Sequence, residues 1–105
     1  MLNSLISKAF QLFSTDAPKH SEAWMQLIQK ISEASDLDQK THALAYLSVL
    51  AALRLESGVP FHIKHAKNLG ATREEVISAI LVGLPAAGHV VTQVLPVALE
   101  SYDSD

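Results

Sequence analysis

His62 and His65 stand one helical turn apart in the stretch Gly58-Val-Pro-Phe-His-Ile-Lys-His-Ala-Lys-Asn-Leu-Gly70. An imidazole with an ordinary pKa near 6.5 gives or takes a proton at neutral pH, so His62 is a candidate acid/base group. Two histidines near a helix start also suit an acidic ligand, because free N–H groups and the helix dipole favour anions there. His65 and the more distant His89 are the further candidates for ligand binding, each weighed against a purely structural role. Imidazole is a common zinc ligand, and convergence of His62, His65 and His89 would make a metal site. No carboxylate or cysteine joins them at motif spacing, so neither a metal nor a cofactor is expected. His42 and His20 read as surface residues.

These side chains need a helix to hold them, and the punctuation around them supplies one. Pro60 suits a first turn, where its missing N–H costs nothing, and Gly70 suits the left-handed residue that ends a helix. Val59, Ile63, Ala66 and Leu69 trace its apolar stripe, with His62 on or beside it. Thr72-Arg-Glu-Glu75 then matches a capping box that opens a second helix.

Elsewhere the 3.6-residue period recurs. Leu2, Leu5, Ile6, Ala9, Phe10 and Phe13 predict an amphipathic N-terminal helix over 1–14, stopped by Ser14-Thr-Asp-Ala-Pro18 and docked on its own domain or a neighbouring subunit. A helix over 18–34 is expected to turn Trp24, Leu27, Ile28 and Ile31 toward the core. Asp38 is the N-cap of a helix reaching about Glu56, apolar on every side from Ala43 to Leu53, which places it in the middle of a bundle. Val76, Ile77, Ile80, Leu81 and Leu84 continue the core. A last helix over 89–102 carries Pro96 as a kink, and Ser101–Asp105 reads as a frayed tail. No strand period appears; the expectation is an all-α single domain over 1–105 with about six helices.

The 105 residues hold 49% apolar and 18% charged residues, so a monomer has trouble hiding its hydrophobic surface and a homo-oligomer is expected. A net charge of −3 without a basic run argues against nucleic acid. With no cysteine, thiol nucleophiles, disulfides and peroxidatic chemistry are closed to this chain. No apolar run of about 18 residues and no leader are read, so no membrane partner and a cytoplasmic location are expected.

Three blocks of residues resemble the carboxymuconolactone decarboxylase family, which shares its fold with AhpD-like alkylhydroperoxidases, over about 18–102. They are Leu37-Asp-Gln-Lys-Thr41, His62 eight residues before Gly70-Ala-Thr-Arg-Glu-Glu-Val76, and Gly83-Leu-Pro-Ala-Ala-Gly-His89. The resemblance implies an AhpD-like orthogonal helical bundle, assembled as a trimer or hexamer, with a pocket near the histidine helix. The redox branch of that superfamily places cysteines seven and four residues before the histidine and a glutamate nineteen before it. Here those positions hold Leu55, Gly58 and Ala43, and only His62 remains. The expected function is therefore non-redox: action on, or binding of, a small acidic or lactone-like metabolite with His62 as the catalytic group. The alternative is a non-catalytic oligomeric ligand-binding or interaction module with a degenerate site.

Overall fold

In a computed structural model of the chain, residues 6–104 are described, and all regular structure among them is helical. Seven α-helices follow in order: α1 Lys8–Asp16, α2 Pro18–Ala34, α3 Gln39–Leu53, α4 Val59–Asn68, α5 Arg73–Leu81, α6 Leu84–Ala87 and α7 Leu95–Asp103. Single 3-10 stretches, Glu56–Gly58 and Gly88–Val94, precede α4 and α7. The core is built where α3, α4, α5, α7 and the second 3-10 stretch meet. Leu47, Val59, Ile63, Val76, Ile80, Val91 and Val94 are its fully buried larger side chains.

The boundaries around the histidine helix have the chemistry the sequence predicts. Asp38 accepts the Thr41 N–H at 2.7 Å and caps α3. Gly70 has φ +96°, and Thr72 and Glu75 close both bonds of the capping box. Glu75 also takes Lys40 Nζ at 3.0 Å, which ties the start of α5 to the start of α3.

Several expectations are corrected. Helix α1 runs on through Ser14 and Thr15 to Asp16, closed by the Ala17 N–H on the Phe13 carbonyl, and Pro18 begins α2. The expected Leu2 and Leu5 lie outside the described residues. Helix α3 stops at Leu53, where Arg54 turns left-handed with φ 55°. The segment 88–94 is 3-10 rather than α, and Pro96 sits in the first turn of α7 instead of kinking one long helix. Ser101–Asp103 are not frayed: the Tyr102 hydroxyl donates to Ala71 O at 2.8 Å, and Arg73 grips Asp103 through two nitrogens at 2.9 and 3.0 Å. Lys67 adds its ammonium to the Tyr102 carbonyl at 2.7 Å and lies 4.7 Å from the Tyr102 ring centroid.

The largest correction concerns α2. Trp24, Leu27, Ile28 and Ile31 do not face the core of this chain; they are 42–52% exposed, and no residue of α2 is buried. Helix α2 packs on α1 and has only marginal contact with the rest. Likewise α3 buries Ala43, Leu47, Leu50 and Ala51 but leaves Tyr46, Val49 and Leu53 outside, so it is not surrounded.

One 18-residue window within 73–103 is apolar enough to match a membrane span, contrary to the sequence reading. Gly83, the turn at Gly88 with φ 78° and the 3-10 stretch break that segment. Its Val76, Ile80, Val91, Val94 and Ala98 are core residues of the bundle.

Candidate functional site

The position of His62 follows from what anchors α4. Val59, Ile63 and Ala66, at i, i+4 and i+7, are buried to within 1% of complete and fix the rotation of the helix. His62 precedes Ile63 by one residue and so falls at the edge of the buried stripe, half-buried. The 3-10 turn Glu56–Gly58 and Pro60 in the first turn of α4 set the approach of the chain.

Around His62 the neighbours are aromatic. The Tyr46 ring of α3 lies 4.6 Å away between centroids, tilted by 44°, and Phe61 meets it edge-on at 5.3 Å. Among the described residues no protein group hydrogen-bonds to either ring nitrogen of His62. No side-chain nitrogen or oxygen among them is both fully buried and unpartnered, so the imidazole nitrogens keep access to solvent. Burial holds the His62 pKa below its ordinary value, and the nearby His65 pushes in the same direction. The group is a neutral, unconstrained imidazole at pH 7, suited to accepting a proton.

His65 is exposed and its ring lies parallel to Phe61 within 12°, centroids 6.5 Å apart. It borders a cleft of about 260 Å³ formed with Ser32, Leu37, Gln39 and His42. His42 is half-buried there, its Nδ1 3.4 Å from Ser35 Oγ, rather than a plain surface residue. The structure thus brings together His62 with His65, and His65 with His42. His89 does not join them: it is exposed on the 3-10 stretch 88–94 and does not border the cleft, its carbonyl accepting the Thr92 hydroxyl at 2.8 Å. Among the described residues no three His, Cys, Asp or Glu side chains are placed to share a metal ion.

Tyr46 and His42 are the site residues that the sequence reading missed. Tyr46 is the sole polar aromatic in the apolar run 43–53, one turn after Ala43, and that break in an oily helix is the signal that could have found it. Ala43 itself is buried at 6% and offers no proton relay. Gly58 keeps an informative geometry: a Cβ built there would sit 3.9 Å from His62 Cδ2 and 3.9 Å from Leu50 Cδ2. Leu55 is 49% exposed and does not fill the site. A second concavity of about 460 Å³, an open groove between α3 and α5, is floored by Leu44, Ala45, Ala79 and Val82 and holds no histidine.

Comparison with protein families gives a match to the carboxymuconolactone decarboxylase family over residues 18–100. Neither the curated proteins nor the solved structures give a match.

Proposed function

Because the chain belongs to the carboxymuconolactone decarboxylase family and carries no thiol, we propose that it binds and transforms a small carboxylate or lactone-like metabolite at His62, without redox chemistry. The observation that carries this reading is the unbonded, half-buried imidazole of His62 against Tyr46. Loss of CO₂ from such a substrate breaks a C–C bond and leaves an electron pair that a conjugated carbonyl can hold. A proton must then reach carbon. His62, neutral at rest, would take a proton from solvent or substrate and deliver it, with the Tyr46 ring packed beside it. His65 and His42 border a cleft of about 260 Å³ and would offer ring N–H donors to a carboxylate there.

The test is turnover and NMR-detected binding across a panel of small unsaturated lactone carboxylates and dicarboxylates, with wild type and His62→Ala. General acid–base catalysis contributes about 10²–10⁴-fold, so loss of a factor in that range is expected. Equal binding and turnover in the variant would refute the proposal. The second reading, a non-catalytic module, is favoured by one observation: Ala43, Leu55 and Gly58 supply no titratable side chain around His62. Reproducible turnover that depends on His62 would dismiss it.

A further inference from the structure

A histidine that moves protons is normally held by a hydrogen bond to one ring nitrogen, which fixes the tautomer and the direction of the other. His62 has no such bond among the described residues. Rotation of an imidazole about its Cβ–Cγ bond meets only a broad, roughly two-fold preference, so something else must set the plane of this ring. Its ring neighbours are the candidates.

Phe61 meets His62 edge-on, with centroids 5.3 Å apart and planes at 82°, and is itself parallel to His65 within 12°. Both Phe61 and His65 belong to α4, so their contacts travel with the helix. Tyr46 reaches His62 from α3 instead. The two centroids are 4.6 Å apart and the planes tilted by 44°, inside the range of about 4.5–7 Å in which aromatic rings attract one another. The footing of this contact is firm: α3 packs on α4, and Leu47 and Ala51 of the one and Val59 and Ile63 of the other are no more than 1% exposed. A tyrosine also suits the rim of a core, since it can lay its ring on a neighbour and keep its polar tip at the surface; Tyr46 is 40% exposed.

We propose that Tyr46 is the positioning residue of this site: its ring, carried on α3, sets the plane of the His62 imidazole and shields one side of it from water. The role belongs to the ring and not to the hydroxyl. It rests on His62 being the reacting group, but the packing itself is read without any ligand. The titratable groups that bear on His62 are Tyr46 across the helix seam and His65 on α4, whose charge opposes that of His62; Gly58 and Leu50 beside it contribute none.

NMR of the His62 ring in the full chain tests this without a substrate, with the exposed His20 and His89 as internal references. In Tyr46→Phe the His62 ring protons are expected to keep their wild-type shifts and titration midpoint. In Tyr46→Ala they are expected to lose the ring-current displacement that a neighbouring aromatic imposes. The midpoint is expected to rise toward the ordinary histidine value, since burial is what holds it down. Tyr46→Leu is expected to lose the displacement too, and replaces the alanine variant if far-UV circular dichroism shows lost helix. Unchanged His62 shifts without the ring overturn the proposal. So does a Tyr46→Phe variant that behaves like Tyr46→Ala, which would assign the role to the hydroxyl. For any compound that the wild type turns over, kcat is expected to fall by about 10²-fold in Tyr46→Ala, as for a misplaced catalytic group, with KM nearly constant and Tyr46→Phe close to wild type. Full kcat in Tyr46→Ala would overturn the positioning role. No turnover by the wild type, with the NMR changes as expected, would refute the reaction proposed above and leave the ring contact standing.

Discussion

The depressed pKa of His62 bears on stability as well as on the chemistry proposed for it. Its folded-state pKa is depressed, first by burial and then by His65, so folding favours the neutral ring. Above about 6.5 both folded and unfolded chains hold it neutral, and its contribution to stability is whole. As pH falls below that value the unfolded chain binds the proton first, and stability declines. The denaturation midpoint is therefore expected to fall between pH 6.5 and 5, and His62→Gln to flatten that decline; a variant with the full wild-type slope would assign it to other groups. At Gly58 the backbone has φ −87°, open to any L-residue, and the space around a Cβ is ordinary contact distance. Gly58→Cys is thus expected to fold with a melting temperature within a few degrees of wild type, measured by thermal denaturation, and a larger loss would mean that the space beside His62 and Leu50 is tighter than these contacts indicate.

At the scale of the elements, termini decide more than interiors. The capping box of α5 is joined to α3 through Glu75 and Lys40, so Thr72 holds one end of a contact between two core helices. Thr72→Ala is expected to cost about 1 kcal/mol in urea unfolding, the usual loss for a capping hydroxyl, while Thr72→Ser costs far less. Arg54 presents the opposite case. A non-glycine residue in the left-handed region at the end of α3 costs about 1 kcal/mol, and its ion pair with Glu56 is exposed and worth little. Arg54→Gly is therefore expected to raise the urea midpoint rather than lower it. The sequence supported α3 beyond this point because its apolar period continues through Leu53; nothing in that period marks where the chain must turn to bring Glu56–Gly58 under α4. The caps at Asp38, Thr72 and Gly70 were legible because each is a local bond between a side chain or backbone group and residues three or four away.

For the whole molecule, the exposed apolar faces of α2 and α3 make self-association the property to test. A chain stabilised by association melts higher as concentration rises, since assembly draws on the native state alone. A melting temperature rising by several degrees between about 5 and 500 µM is the expected result, and a flat one would mean that the α2 and α3 faces tolerate water.

What the chain by itself determined are features set by near neighbours: most helix periods, the caps at Asp38 and Thr72, the glycine stop at Gly70, the absence of thiol chemistry and the family. What only the tertiary structure decided is where each apolar face goes. Trp24, Leu27, Ile28 and Ile31 have the period of a buried ridge, yet no core of this chain lies beneath them. Amphipathic spacing says that a face seeks a partner, and it is silent on whether that partner is the same molecule. Tyr46 beside His62 and His42 beside His65 were hidden for the same reason: the pairs are 16 and 23 residues apart in sequence, and the packing of α3 against α4 alone makes them neighbours.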